Sequence, residues 1–331
     1  MTKLFWKNKR VLVTGGSGFI GSCLCKKLVS MEAKVVAVDI KLPKEFPYSM
    51  NKINNKKVLF IKCDVRNFIL VKKIIKEYKI GIIFHLAAEA IVGRALKNPY
   101  RTLDTNIKGT WNILEASRSS RYVNRIVSAS SDKAYGDADK LPYAEETVLR
   151  GKAPYDASKS CADLICQMYF KTYQLPVCIT RCGNVYGGGD HNLSRIIPGT
   201  ICSILKRKRP IIRSDGTFLR DYIYIKDIVS AYIALAEKMN NKKIIGQAFN
   251  FGYNKPKSVL EVVKIILKLS NVKDLPPLIL DEVKHEIKHQ YLDSTKAYKL
   301  LKWKPQCGFI NGLKQTIEWY KKNINGIKNN K

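Results

Sequence analysis

The stretch VLVTGGSGFIGS, residues 11–22, decides the fold. A β-branched apolar run ends at Thr14, and Gly15, Gly18 and Gly21 then follow with the spacing G-x-x-G-x-x-G. Glycines let backbone N–H groups approach a pyrophosphate, which a Cβ would block, and the N-terminus of a following helix adds partial positive charge. The stretch therefore predicts a strand, a dinucleotide-binding turn and a helix. The alternative is a tight strand-to-helix turn that holds no ligand.

Asp39 ends the next apolar run, AKVVAVD, and indicates which dinucleotide the turn would bind. A carboxylate at this place accepts hydrogen bonds from ribose hydroxyls and repels a 2′-phosphate. We therefore expect NAD as the cofactor. Lys41, two residues further on, leaves NADP open.

Outward from this unit, short β-branched runs alternate with amphipathic stretches. The runs RVLVTG, AKVVAVD, KVLFIKCD, GIIFHLAA and RIVSAS predict strands, and LPVCITRCGNVYG predicts a sixth. This alternation is typical of an α/β fold with a Rossmann-type doubly wound parallel sheet. The pattern then becomes irregular, which predicts a smaller C-terminal α/β substrate lobe. We expect residues 1–183, with about 222–252, to form the nucleotide domain, and 184–221 with 253–331 to form the lobe.

The bulk properties exclude several classes of protein. The chain has 331 residues, of which 46% are hydrophobic, so a substantial core is expected. The net charge of +32 is spread over lysine-rich segments, which we interpret as compositional bias and not as a nucleic-acid surface. No apolar run is long enough for a membrane span, and a cytoplasmic location without a membrane partner is expected. Nine cysteines without a C-x-x-C pair, beside four histidines, predict free thiols and no metal site.

A second motif combines ASSDKAYGD, residues 129–137, with a tyrosine and a lysine further on. Tyr155 and Lys159 lie four residues apart at the start of a predicted helix and therefore share one face. A phenol acts as a base near neutral pH only if a cation and a hydroxyl stabilise its phenolate. Lys159 would supply the cation, and Ser131, at a predicted strand end, the hydroxyl.

Over residues 11–320 the chain resembles the extended short-chain dehydrogenase/reductase superfamily, and within it the NAD-dependent nucleotide-sugar epimerases and dehydratases. The matching stretches are VTGGSGFIG, KCDVRN, HLAAEA, DTNIKGT, SSDKAYGD, YDASK, RCGNVYGGGD and RDYIYIKDI. Epimerases need only the Ser, Tyr and Lys, whereas 4,6-dehydratases carry two more acid/base residues directly after the Ser. Asp132 and Lys133 are most similar to the pair of the CDP-glucose 4,6-dehydratases.

The resemblance implies three sets of site residues. The catalytic residues would be Ser131, Asp132, Lys133, Tyr155 and Lys159. The cofactor contacts would be Gly15, Gly18, Phe19, Ile20, Gly21, Asp39, Asp64, Val65, Leu86, Ala87, Ala88, Asn106, Tyr155 and Lys159. The substrate contacts would be Glu89, Arg94, Asn184, Arg213 and Arg220. Among these, Asn184 and Arg220 would contact the diphosphate, because an amide donor and a guanidinium suit phosphate oxygens, and Arg213 would contact the ribose or base.

The implied reaction is a 4,6-dehydration of a nucleotide-diphosphate sugar with NAD as a recycled hydride carrier. Tyr155 would take the O4 proton, Lys133 the C5 proton, and Asp132 would protonate the departing 6-hydroxyl. A 4-epimerase of the UDP-sugar type, or a non-catalytic NAD-bound regulator, would instead leave Asp132 and Lys133 as turn residues. The resemblance also implies a homodimer, in which the predicted helices over residues 102–120 and 155–173 form a four-helix bundle.

Overall fold

The computed structural model describes residues 3–41, 57–283 and 286–326. Its strands, in chain order, are β1 (Arg10–Thr14), β2 (Lys34–Asp39), β3 (Val58–Lys62), β4 (Ile82–His85), β5 (Arg125–Ala129), β6 (Val177–Cys182), β7 (Asn184–Tyr186), β8 (Ile211–Ile212), β9 (Leu219–Arg220), β10 (Tyr222–Tyr224), β11 (Ala248–Phe251), β12 (Lys257–Ser258), β13 (Leu278–Ile279) and β14 (His289–Gln290). Its helices are α1 (Lys3–Trp6), α2 (Phe19–Ser30), α3 (Phe68–Glu77), α4 (Val92–Lys97), α5 (Pro99–Leu103), α6 (Gly109–Arg118), α7 (Pro154–Tyr173), α8 (Ile196–Leu205), α9 (Ile225–Lys238), α10 (Val259–Leu269), α11 (Thr295–Leu301) and α12 (Phe309–Asn323).

Seven of the strands form one parallel sheet in the order β3-β2-β1-β4-β5-β6-β11. Parallel neighbours need crossover connections. Helices supply them among the described residues, whereas most of the connection from β2 to β3, residues 42–56, lies outside those residues. The strand order reverses between β1 and β4, which opens a crevice at the carboxyl ends of these strands. The predicted Rossmann-type doubly wound sheet is therefore confirmed.

Neighbouring residues of one strand contribute to two separate hydrophobic cores. Val11 and Val13 of β1 pack on the side of α2 and α9, whereas Leu12 between them packs on the side of α3 and α6. This alternation follows from the two-residue period of a strand. Because helices cover both faces of the sheet, β4 is buried at all four positions. The crevice therefore lies at the edge of a rigid layer.

The first of the two long predicted helices contains an irregular turn. It begins as α5, continues through a π-helical turn over Asp104–Lys108 and ends as α6. The hydroxyl of Thr110 donates to the carbonyl oxygen of Asn106 at 2.6 Å, so a side chain bonds a carbonyl inside this turn. Such turns often occur at functional sites. The second predicted helix is continuous and is α7.

The segments after β6 form small sheets beside the large one. In one of them, β9 pairs with β12 and β14, and the register sets Gln290 opposite Arg220. In another, β7 pairs with β10, which sets Asn184 opposite Tyr222. Between these segments the chain returns to the large sheet through α9 and β11. Residues far apart in the sequence thus meet at one end of the crevice.

Three expectations, about thiols, membrane spans and metal sites, can be compared with the structure. No disulfide joins any of the nine cysteines, all of which lie within the described residues, and six of them are buried. Within the described ranges, no helix combines the length and apolarity that a membrane crossing requires. The same part of the chain holds no group of three or more His, Cys, Asp or Glu side chains placed to bind a metal.

Candidate active site

A cleft of about 1150 Å³ runs along the carboxyl ends of the strands and under the small sheets. Every residue predicted for the site lines this cleft except Asp132, Asn106 and Arg94. The lining includes the glycine turn, Ser131 and Lys133 of the turn after β5, and the two arginines Arg213 and Arg220. The cleft therefore brings together the two motifs and the predicted phosphate contacts.

The glycine turn fits the close approach of a dinucleotide. Gly15 has a φ of +66°, and a Cβ there would lie 2.9 Å from the backbone nitrogen of Ala87. A Cβ on Gly21 would lie 2.1 Å from the carbonyl oxygen of Gly15. Gly18 is the N-cap of α2, whose N-terminal N–H groups carry partial positive charge toward the cleft. Glycine is thus required by the turn itself, and the helix end suits a pyrophosphate.

The carboxylate of Asp39 is fixed in place at this end of the cleft. Its Oδ2 accepts hydrogen bonds from the backbone nitrogen of Ser17 at 3.2 Å and from its Oγ at 2.5 Å. Its Oδ1 accepts from the backbone nitrogen of Ile40 at 2.8 Å. A carboxylate oriented in this way suits ribose hydroxyls. The sequence analysis did not include Ser17, although it lies inside the glycine motif.

Asp64 is paired with an arginine that the sequence analysis did not include. Arg66 Nη2 lies 2.6 Å from Asp64 Oδ2, and its Nη1 lies 2.9 Å from Asp104 Oδ2. Hydrogen bonding to Arg66 lowers the pKa of Asp64. Both Asp64 and Arg66 line the cleft, so a cofactor that contacts Asp64 would meet this ion pair and not a lone carboxylate.

Tyr155 and Lys159 occupy one face of α7 as predicted, but burial determines their protonation. Burial raises the pKa of Tyr155 to about 12, although a hydrogen bond with Ser131 opposes this. Burial also lowers the pKa of Lys159 to about 8. The Lys159 ammonium donates to the carbonyl oxygen of Ala129 at 2.8 Å. Ser131 and Tyr155 are therefore in contact, whereas Lys159 is held against the end of β5.

The residues after Ser131 form a 3₁₀ turn over Asp132–Tyr135. Ser131 Oγ caps this turn by accepting from the backbone nitrogen of Lys133 at 3.2 Å, and it donates to Asp132 Oδ1 at 3.0 Å. Asp132 is 2% exposed, and burial raises its pKa. Lys133 lines the cleft. The turn thus directs the amine into the cleft and holds the carboxyl behind it.

Arg220 is buried at the far end of the cleft with several acceptors around it. Its Nη1 donates to the carbonyl oxygens of Leu219 and Lys288, each at 2.8 Å. Its Nη2 lies 2.8 Å from Glu286 Oε1. Asn184 lines the same cleft from the start of β7. A guanidinium and an amide are thus available there for anionic oxygens.

Asn106 and Arg94 occupy different positions outside the cleft lining. The Asn106 side chain accepts from the backbone nitrogen of Glu89 at 2.8 Å and donates to the carbonyl oxygen of Glu89 at 3.1 Å and to Ser158 Oγ at 2.8 Å. It therefore fixes the cleft-lining loop after β4. Arg94 is exposed on α4. Ligand contacts of these two residues stay predictions.

Three further side chains near the turn after β5 were not among the predicted site residues. Arg195 lines the cleft, bonds Asp190 at 2.9 Å, and lowers the pKa of Tyr155 against the larger effect of burial. Asp156 follows Tyr155, and burial raises its pKa to about 6. Gln290 accepts a hydrogen bond from Lys133 Nζ at 3.2 Å. The sequence offers a reason to include Arg195, because it lies between a glycine-rich loop and a predicted helix. It offers no such reason for Gln290.

Comparison with known proteins places the whole chain among sugar-nucleotide enzymes. Residues 12–316 match a family model described as GDP-mannose 4,6 dehydratase. The dTDP-glucose 4,6-dehydratase of Haemophilus influenzae is 32% identical over 340 residues, which cover 94% of this chain and 97% of that protein.

Solved structures show the same relationship. The dTDP-glucose 4,6-dehydratase of Bacillus anthracis, in complex with NAD, is 29% identical with a TM-score of 0.85 and covers 96% of this chain and 98% of its own. The UDP-glucose 4-epimerase of Thermotoga maritima, with UDP-glucose, is 28% identical with a TM-score of 0.86 and covers 95% of this chain and 99% of its own. The predicted superfamily is therefore confirmed, whereas the narrower resemblance to the CDP-glucose enzymes stays a prediction. Since the family model spans most of the chain and the relatives match it nearly end to end, this chain belongs to the GDP-mannose 4,6 dehydratase family.

Proposed function

We propose that this protein is an NAD-dependent nucleotide-sugar 4,6-dehydratase. The observation that carries the proposal is the turn after β5, where Asp132 and Lys133 directly follow Ser131, which contacts Tyr155. An epimerase has no use for this additional acid/base pair. The names of the dehydratase relatives support the same reaction.

The cofactor proposal rests on the nucleotide end of the cleft. Gly15, Gly18 and Gly21 would hold a pyrophosphate, and Asp39 would bind the adjoining ribose. The complex of the Bacillus anthracis relative with NAD supports this choice. NAD, when bound, supplies a reversible hydride acceptor. The protein's own part is to position the sugar and to move its protons.

Three side chains would perform the proton transfers. Tyr155, aligned by Ser131, takes the O4 proton during oxidation at C4. Because burial raises the pKa of Tyr155 to about 12, this step requires that Lys159 act as the cation that stabilises the phenolate. The resulting ketone acidifies the C5 hydrogen.

Lys133 then removes the C5 proton. Asp132, whose pKa is raised by burial, gives a proton to the 6-hydroxyl, which leaves as water. Burial thus shifts Asp132 toward the protonated form that this acid role needs. C6 would then take back the hydride removed from C4, and C5 would take back a proton, so that the net change is the loss of one water.

The substrate would lie across the C-terminal end of the cleft. Arg220 and Asn184 would bind the diphosphate, Arg213 the nucleoside and Glu89 the sugar. We propose that 184–221 and 253–331 form the substrate lobe, and that 1–183 with about 222–252 form the nucleotide domain. Residues 1–2, 42–56, 284–285 and 327–331 of these segments lie outside the described residues.

A nucleotide-sugar 4-epimerase is the second candidate. The likeness to the Thermotoga maritima epimerase favours it, because the two folds agree over 95% of this chain. Ser131, Tyr155 and Lys159 would suffice for that reaction, and Asp132 and Lys133 would then be turn residues. The mass of the product separates the two reactions, since an epimer has the mass of its substrate.

The experiment is mass spectrometry of the purified protein after incubation with CDP-glucose, dTDP-glucose, UDP-glucose, UDP-N-acetylglucosamine and GDP-mannose, each with and without added NAD. We expect one of them to lose one water. Tyr155→Phe should abolish this loss, whereas Tyr173→Phe, on the exposed end of the same helix, should preserve it. A product of unchanged mass that separates on chromatography would establish the epimerase instead.

We also propose that the protein forms a homodimer through a four-helix bundle of α6 and α7. Trp111 of α6 and Leu164 and Met168 of α7 are large apolar side chains with substantial exposure. Light scattering of the native protein and of Leu164→Glu tests this, since a charge in the bundle should give monomers. The cytoplasmic location expected from the sequence stays a prediction.

A further inference from the structure

Lys133 is held by a residue from the C-terminal part of the chain. Its Nζ donates to Gln290 Oε1 at 3.2 Å, across a sequence separation of 157 residues. A lysine ammonium has only donors, so the amide oxygen of Gln290 must face it. The side chain of Gln290 is completely buried, which leaves it few alternative rotamers. The contact is therefore directional and fixed.

The backbone of Gln290 is fixed as firmly as its side chain. β14 pairs with β9, and the backbone nitrogen of Asp221 donates to the carbonyl oxygen of Gln290 at 3.1 Å. Arg220 is the register partner of Gln290 in the same sheet. The amide that holds Lys133 is thus built onto the strand pair that carries the proposed diphosphate contact.

The charges around Lys133 explain why a neutral amide occupies this position. Asp132 and Asp156 both interact electrostatically with Lys133, and Arg220 and Glu286 act on Asp156 in turn. A third carboxylate would favour the charged ammonium form, whereas an amine that acts as a base must be neutral. An amide oxygen orients the amine without adding a negative charge.

The cluster contains more polar atoms than it pairs. No described residue supplies a hydrogen-bond partner for Gln290 Nε2, Asp132 Oδ2 or Asp156 Oδ1, although all three atoms are buried. Unpaired buried polar groups lower the stability of a fold. An apolar side chain at position 290 would avoid part of this cost, so stability does not account for the glutamine.

We propose that Gln290 is a positioning residue for Lys133, which holds the amine toward C5 of the bound sugar. The role rests on the proposed function, because it presumes that Lys133 removes the C5 proton. It also makes the base depend on the C-terminal sheet that would bind the diphosphate. Sugar binding and proton removal are then coupled through one hydrogen bond.

The test compares Gln290→Met, which removes both polar atoms at similar length, with Gln290→Glu, which keeps an acceptor. The substrate is the sugar nucleotide that loses water in the assay above. We expect Gln290→Met to lower kcat roughly 10- to 100-fold with KM unchanged, and to increase the isotope effect of deuterium at C5. Gln290→Glu should restore much of kcat and move the rising limb of its pH profile to higher pH.

Gln247 offers a matched control, because its Oε1 accepts from Lys296 Nζ at 3.0 Å on the exposed surface. Gln247→Met should change none of these quantities. A second readout is the absorbance of NADH formed with the corresponding nucleotide 6-deoxyglucose, which has no 6-hydroxyl to lose. Gln290→Met should form NADH from it as wild type does, since C4 oxidation does not need Lys133.

Three outcomes would overturn the inference. Wild type that loses no water from any of the five sugar nucleotides would overturn the proposed function and this role with it. Wild type that loses water while Gln290→Met matches it would overturn the positioning role alone. Equal damage to water loss and to NADH formation in Gln290→Met, without rescue in Gln290→Glu, would show that Gln290 only maintains the fold.

Discussion

Two buried polar clusters lie against the same 3₁₀ turn, and they are bonded very differently. Behind the turn, Arg181 donates to both carboxylate oxygens of Asp163 at 2.8 and 2.9 Å, and also to the Tyr135 hydroxyl and the Glu145 carbonyl. In front of it, the cluster around Lys133 leaves three buried polar atoms without a partner among the described residues.

The difference separates a structural cluster from a chemical one. A buried ion pair is tolerated when its hydrogen bonds are complete, as they are around Arg181. Acid/base groups that must exchange protons with a substrate need spare donors and acceptors. Among the described residues, the cluster at Lys133 has such unpaired atoms, and their burial lowers the stability of the fold. The following changes test this division.

The largest loss of stability is expected from Asp163→Asn. This change keeps the shape of the side chain but leaves the buried Arg181 charge without a counterion, which should lower the free energy of unfolding by about 3–5 kcal/mol. Urea unfolding measures it. Asp274→Asn, in an exposed pair with Arg207, is the matched control and should cost less than about 1 kcal/mol. Equal losses in both variants would contradict the structural assignment.

Lys133→Met should have its effect on catalysis instead. We expect water loss to slow roughly 10²- to 10³-fold, or about 3–4 kcal/mol in the barrier, because the C5 base is gone. The free energy of unfolding should fall by less than in Asp163→Asn, since Lys133 lines the cleft and its removal breaks one hydrogen bond, the one to Gln290. Mass spectrometry measures the rate of water loss, and urea unfolding measures the free energy of unfolding. Lys140→Met, on the exposed loop that follows, should change neither the rate of water loss nor the free energy of unfolding. A loss of stability in Lys133→Met as large as that in Asp163→Asn would contradict the division.

Asp156→Asn should stabilise the protein in a pH-dependent way. Burial raises the pKa of Asp156 to about 6, so its contribution to stability is complete below about pH 4 and is lost as the pH rises through 6. The variant should match wild type at about pH 4 and exceed it by on the order of 2 kcal/mol at about pH 8. Unfolding at both pH values checks this, with the exposed Asp137→Asn as control. A gain that is equal at both pH values would indicate repacking, not titration.

The smallest effect is expected from Tyr143→Phe. The Tyr143 hydroxyl donates to the carbonyl oxygen of Gly136 at 2.5 Å, just beyond the 3₁₀ turn, and its ring stacks on Tyr135. Loss of this hydrogen bond alone should lower the free energy of unfolding by about 1 kcal/mol. Thermal unfolding measures the change. Tyr298→Phe, at an exposed ring, should show no change. A loss of catalysis without a loss of stability would place Tyr143 with the chemical cluster instead.

The parts of the site that the sequence predicts depend on local geometry. The glycine turn, the four-residue step from Tyr155 to Lys159, and the position of Ser131 at a strand end all follow from residues close together in the chain. The same holds for the parallel strands, whose apolar runs need no partner to be recognised. Spacing is sufficient because helices and strands have fixed periods.

The remaining parts depend on contacts between distant segments. Gln290 reaches Lys133 only because β14 pairs with β9, two short strands without an apolar pattern of their own. The two protonation states at α7 were also beyond the sequence: Lys159 bonds a carbonyl, and burial raises the pKa of Tyr155. Local composition records neither the depth of a side chain nor its partner, so these features require the fold.

The pairing of β14 with β9 also has a consequence for the order of events during synthesis. Chains emerge N-terminus first, so the glycine turn and the Tyr155–Lys159 helix are complete long before residue 290 appears. A nascent chain of about 260 residues already holds all seven strands of the large sheet but lacks the strand that steadies Lys133. Such a chain has its glycine turn before it has the amide that holds Lys133, so the contact that orients the proposed base is among the last features the growing protein acquires.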